Sequence, residues 1–192
     1  MESMDHVMPP KPTPVPYRPV AVRYGIYLGL AGVVIALVSQ LLLDSSELSS
    51  TGTKFGTGLI FMALGLLATI VLIAMAVKYH RDVELGGYIS LSVIVMIGLI
   101  MGVVAGAIEG IFNIINMYVI NPEQLESIHA AMEASFEAQD MDDDKAEMAR
   151  SIAGIFTNPF VLSLFTVLSK GIGGIFWGLI VGLFMQKERP RV

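Results

Sequence analysis

The chain has no cysteine, a single tryptophan and few charges: 15% of its 192 residues are Asp, Glu, Lys or Arg. Lack of cysteine excludes disulfides, thiolate metal sites and a cysteine nucleophile, and says nothing about compartment. Soluble domains of this length carry about 25% charged residues, and the shortfall here is concentrated in four apolar runs. The HExxH metal helix, the GxSxG elbow, the glycine-rich nucleotide loop and paired intramembrane aspartates are all missing, so no enzyme and no cofactor is expected. The net charge of −5 comes mainly from one acidic segment and argues against a nucleic-acid partner.

What is present is hydrocarbon. Mean hydropathy is +0.69. A helix needs roughly 20 apolar residues to cross a bilayer. Runs at about 24–43 and 58–77 contain no charged side chain, 86–118 is interrupted only by Glu109, and 159–185 only by Lys170. Four such runs leave almost nothing to cover them in water. The expected fold is therefore an all-α membrane protein, a four-transmembrane-helix bundle occupying residues 24–192 with the bilayer as its solvent.

Basic residues in the short flanks set direction. Lys11, Arg18 and Arg23 precede the first span, Lys78 and Arg81 separate the second from the third, and Lys187, Arg189 and Arg191 follow the fourth. The opposite loops hold Lys54, Lys145 and Arg150 with most of the acids. Both termini are expected in the cytoplasm of a bacterial inner-membrane protein. Tyr24, Tyr27, Tyr79, Tyr88 and Tyr118 fall near span ends, where amphipathic rings collect.

Residues 1–23 carry Pro9, Pro10, Pro12, Pro14, Pro16 and Pro19 and read as an extended, disordered cytoplasmic tail, a solvated leader rather than a ligand for a proline-reading domain. It does not fit a cleaved signal, so the first span is expected to act as a signal anchor. Residues 121–158 read as an extracytoplasmic amphipathic helical hairpin between the third and fourth spans. Asn121-Pro122-Glu123 is a helix start, Leu125, Ile128, Met132 and Phe136 recur at helical spacing, and Asp142, Asp143 and Asp144 open a second helix through Met148, Ile152 and Phe156. Asp140, Asp142 and Asp144 alternate as in a calcium loop, but Lys145 and Ser151 stand where such a loop needs glycine and glutamate. No metal is expected.

Two patterns concern helix contact. Gly98, Gly102, Gly106 and Gly110 recur every fourth residue in the third span, and Gly174, Gly178 and Gly182 do so in the fourth. This zipper-like spacing allows close backbone approach, within one chain or with a second copy. Glu109, Asn113 and Asn116 share one face of the third span; Ser163, Thr166 and Lys170 share one of the fourth. In antiparallel helices, facing positions add to a constant, and the pairs 109/170, 113/166 and 116/163 have equal totals. An ion pair Glu109–Lys170 is expected, with Asn113–Thr166 and Asn116–Ser163 contacts towards the outer surface. Three roles are open for the charges: a structural clamp, a gate or proton site, or a lysine snorkelling to the interface. His6, His80 and His129 are scattered and expected to be solvated; His80 beside Arg81 and Asp82 would suit a lipid headgroup as well as positive-inside bias.

Short motifs add a resemblance. Tyr79-His80-Arg81-Asp82 with Leu85-Gly86-Gly87-Tyr88-Ile89-Ser90, Gly110-Ile111-Phe112-Asn113 followed by Asn121-Pro122-Glu123, and Phe156-Thr157-Asn158-Pro159 resemble the bacterial membrane family called domain of unknown function 4199, common in Bacteroidota. The resemblance covers about residues 20–187. It implies a four-helix inner-membrane protein with an extracytoplasmic helical insertion and no assigned activity. Glu109 and Lys170 match no hallmark of that family. Three classes follow, in order: a structural or accessory subunit with a membrane-protein partner or as a homo-oligomer, a small oligomeric transporter or channel using the polar stripe, and an envelope sensor binding through the acidic hairpin.

Overall fold

A computed structural model describes residues 15–43, 51–137 and 143–187. Six α-helices follow in chain order: α1 (Arg18–Leu43), α2 (Thr51–Tyr79), α3 (Leu91–Ile115), α4 (Pro122–Glu137), α5 (Asp143–Phe156) and α6 (Pro159–Met185). A π-helical turn, His80–Glu84, extends α2, and another, Asn116–Ile120, extends α3. Among the described residues the only extended pairing is one antiparallel bridge, Ile89 with Lys187.

Four of these helices are long and apolar enough to cross a membrane. Between 17% and 39% of the most apolar stretch of each is buried, so most of their hydrocarbon points outward. Leu41, Phe55, Val119 and Phe184 are among the large side chains left exposed. In water such surface would aggregate; in lipid it is solvated. The chain is a multi-pass membrane protein.

Helix ends depart from expectation in three places, one of them α2, which opens at Thr51 rather than about residue 58. The first helix opens at Arg18 rather than about residue 24, because Pro19 sits in its first turn, where a missing N–H breaks nothing. Of the expected proline tail, residues 1–14 lie outside the described residues. The third helix begins at Leu91, not Gly86. Gly86 and Gly87 adopt φ of 66° and 97°, which ends the π-helical turn, and Ile89 then exchanges 3.0 Å backbone hydrogen bonds with Lys187. That bridge ties the start of α3 to the end of α6. At the same end, an Arg81 guanidinium N–H donates to the Met185 carbonyl at 3.2 Å, and the Arg23 guanidinium lies 4.8 Å over the Tyr79 ring.

The bundle is layered around α3. It packs most extensively on α6, then on α1, and α2 lies across α1 and α6. The apolar core concentrates towards the basic end, where Val20, Ile73, Val77, Ile94 and Ile97 are buried. At the opposite end α4 and α5 occupy the stretch expected to form a hairpin. Arg150 Nε donates to Glu133 Oε2 between them at 3.3 Å, and both residues are about half exposed. The joining residues 138–142, including Asp140 and Asp142, lie outside the described residues. Helix α6 then opens on Asn158, whose side-chain oxygen accepts from the Phe160 N–H at 2.9 Å, with Pro159 in the first helical position.

Candidate functional site

The polar centre of the membrane domain is built on the α3–α6 seam. A methyl group added at Gly98 would collide with the Gly174 carbonyl oxygen, one at Gly174 with the Gly98 carbonyl, and one at Gly102 with the carbonyl of Lys170. At Gly106 it would stand 2.7 Å from the Val167 Cα, at Gly110 3.2 Å from the Ser163 oxygen, and at Gly178 3.3 Å from the Val95 Cα. At Gly182 it would strike the Leu91 side chain. Both sets of glycines therefore face each other within this chain, and the backbones touch because no side chain holds them apart.

α3 has a second face of this kind, which the sequence reading missed. Gly25, Gly29 and Gly32 of α1 pack on it: methyls at the first two would stand 2.9 Å from the Val104 and Ile108 side chains, and one at Gly32 would overlap the Glu109 carboxylate. The signal was present, as small residues at intervals of four and three. α3 is thus held between two glycine-faced neighbours.

These contacts place the charges. Lys170 Nζ donates to Glu109 Oε1 at 2.8 Å. Gly106 faces Val167 and Gly110 faces Ser163, so Lys170 stands about six residues, ~9 Å of helix rise, beyond the α6 residue beside Glu109. Side chains lean towards the N-terminus of their own helix, and in an antiparallel pair these leanings converge. Glu109 and Lys170 close the gap from both ends. The same offset brings Asn113 Nδ2 to Thr166 Oγ1 at 3.4 Å. Thr166 in turn donates to the Leu162 carbonyl at 3.0 Å.

Asn116 is buried. Ser163, expected opposite it, directs its hydroxyl at backbone oxygens, the Gly110 carbonyl at 2.8 Å and the Pro159 carbonyl at 2.7 Å. The reason is the glycine: without a side chain at 110, its carbonyl is within reach of the neighbouring helix. Within the ion pair, the Glu109 side chain is 16% exposed and the Lys170 side chain 38%. The carboxylate is enclosed between α1, α3 and α6, and Lys170 is among the residues lining a cleft of about 380 Å³ between α2 and α6.

The chain matches the family described as "Protein of unknown function (DUF4199)" over residues 23–187. It belongs to that family. The match takes in α2–α6 and nearly all of α1, so the DUF4199 region and the membrane domain coincide. No curated protein and no solved structure matches the chain.

One further group in this DUF4199 protein corrects an expectation. His80 is not solvated: it is 1% exposed, its Nδ1 contacts the Glu84 carboxylate one turn on, and Tyr17 meets its ring edge-on at 6.5 Å between centroids. Burial follows from the residues before α1 folding back over the π-helical turn, a long-range contact that local composition does not announce. His129 is exposed, and His6 lies outside the described residues.

Proposed function

We propose that this DUF4199 protein is an inner-membrane protein with both chain ends in the cytoplasm, acting as a structural or accessory subunit of a larger membrane assembly and without enzymatic activity of its own. The observation that carries this reading is the closure of the intramembrane charges. Glu109 and Lys170 pair at 2.8 Å, and Gly32 lies against the carboxylate on its other side. A gate needs a charge facing a passage; here the anion is walled in by three helices. A part-buried pair between two helices favours one partner and one register. The transport reading has one supporting feature, the partial exposure of Lys170.

Orientation rests on the basic residues. Arg18, Arg23, Lys78, Arg81 and Lys187 belong to the helix ends gathered around the Ile89–Lys187 bridge, the end that the positive-inside rule places in the cytoplasm. A partner has room on α2, which buries little beyond Ile73, Ala76 and Val77 and leaves Phe55, Ile60, Met62 and Leu67 exposed. The test is purification from native membranes in mild detergent, with mass spectrometry of what accompanies the chain. A stoichiometric membrane protein supports the reading. A chain that purifies alone at native abundance overturns it.

A further inference from the structure

The cleft beside Lys170 has walls from all four spanning helices: Leu28 of α1, Gly65 and Thr69 of α2, Gly102 of α3, and Ser169 to Trp177 along α6. Four glycines share its lining with larger apolar side chains, among them Phe61, Met62, Leu66 and Ile73. Gly102 and Gly174 are glycine because backbones touch there, but Gly65 and Gly173 are not: a methyl at either meets nothing within 4 Å. At those two positions the missing side chain keeps space open rather than bringing helices together.

The polar side chains at this space are those of Lys170, Ser169, Thr69 and Trp177, each a donor, with the two hydroxyls acceptors as well. Lys170 has three N–H groups and one acceptor among the described residues, Glu109. Ser169 and the Trp177 indole N–H have no acceptor among the described residues. Thr69 already directs its proton to the Gly65 carbonyl at 2.8 Å. In hydrocarbon a donor without an acceptor is costly, so the cleft suits a ligand that brings acceptors. The Glu109 carboxylate balances the Lys170 charge, which disfavours an anionic ligand such as a fatty acid.

Depth narrows the class. Lys170 stands ~16 Å of helix rise from the Pro159 end of α6 and ~22 Å from the Met185 end. The hydrocarbon core is about 30 Å thick, so the cleft lies well inside it, whereas the ester carbonyls of a phospholipid are tethered to headgroups at its edges. A carbonyl compound free to enter the membrane interior is required, flat enough for glycine walls and carrying an apolar tail.

We infer that the α2–α6 cleft is a binding site for an uncharged quinone-type ligand, its carbonyl oxygens accepting from Lys170 and Ser169 and its ring lying along the glycine walls beside Trp177. This is a binding site and invokes no redox step, and it stands whether or not the protein is an accessory subunit. Trp177 is the only tryptophan in the chain, so its fluorescence reports on the cleft directly.

The experiment is titration of the full chain, in phosphatidylcholine nanodiscs, with decylubiquinone. Saturable quenching is expected for the native protein. Gly65→Leu and Gly173→Leu, which place a side chain in the open space, should shift the midpoint at least tenfold upward. Gly58→Leu, equally uncrowded but outside the cleft, should leave it unchanged. Ser169→Ala, which removes a donor and adds no bulk, should weaken binding several-fold and serves where a leucine variant does not fold. Quenching that rises linearly with added quinone and is the same in all variants is partitioning into lipid alone and overturns the assignment.

Discussion

Replacing Lys170 by methionine removes the cation and keeps most of the side chain's length, including the stem that lies against Gly106. Glu109 is then left in a site where its side chain is 16% exposed, against the bare face of Gly32. Removing one partner of a buried pair costs about 3–5 kcal/mol, a large share of the 5–15 kcal/mol that holds a typical domain together. The lower figure corresponds to a fall in melting temperature of roughly 6–12 °C at this chain length. Glu109→Gln should be milder, about 1 kcal/mol, for two reasons. Glutamine still offers Lys170 an oxygen, and the Lys170 side chain, 38% exposed, is able to turn its ammonium towards an interface. The double variant Glu109→Leu, Lys170→Met should return to within about 1 kcal/mol of the native protein, since a well-packed apolar pair replaces a buried ion pair at little cost. Thermal unfolding in one detergent, followed through Trp177 fluorescence, measures all four proteins. Equal, small losses in both single variants would refute the asymmetry, and a double variant no better than Lys170→Met would refute the coupling.

Gly102→Leu should lower the melting temperature far more than Gly65→Leu, because the first drives a side chain into the Lys170 carbonyl and the second meets open space; the same unfolding assay compares them. His80→Ala should cost about 2 kcal/mol, through loss of a buried ring packed on Tyr17 and an orphaned Glu84 contact, and hydrogen exchange should rise in residues 15–20. A single cysteine placed at Val83 of the otherwise cysteine-free chain should resist a membrane-impermeant maleimide in intact cells, while one at His129 should react. Labelling of position 83 from outside would reverse the orientation.

Four spanning helices were legible in the sequence because hydrocarbon long enough to cross a bilayer has few other uses. The seam was also legible, since glycines every fourth residue on both Gly98–Gly110 and Gly174–Gly182 describe a face without reference to anything distant. Glu109 and Lys170 were matched by a constant total of facing positions, yet the glycine contacts set the facing register six residues away, and the two side chains meet because they lean towards each other across that offset. Features that depend on distant partners were not visible. Nothing near His80 marks it as buried, because Tyr17, which covers it, comes from the other side of α1 and α2. Ser163 was assigned to Asn116 by register alone, although a glycine at 110 leaves a backbone carbonyl closer at hand. Gly86-Gly87 was readable as a turn, yet the apolar run through Ile89 masked the break before α3.

The claim at the centre is that the Glu109–Lys170 pair closes the bundle rather than opening a path through it. Proton flux into liposomes containing the purified protein, driven by a potassium diffusion potential and followed with a pH-sensitive dye, addresses it directly. The same flux as in protein-free liposomes is expected, for the native chain and for Glu109→Gln alike. A flux that the native chain supports and Glu109→Gln abolishes would contradict it.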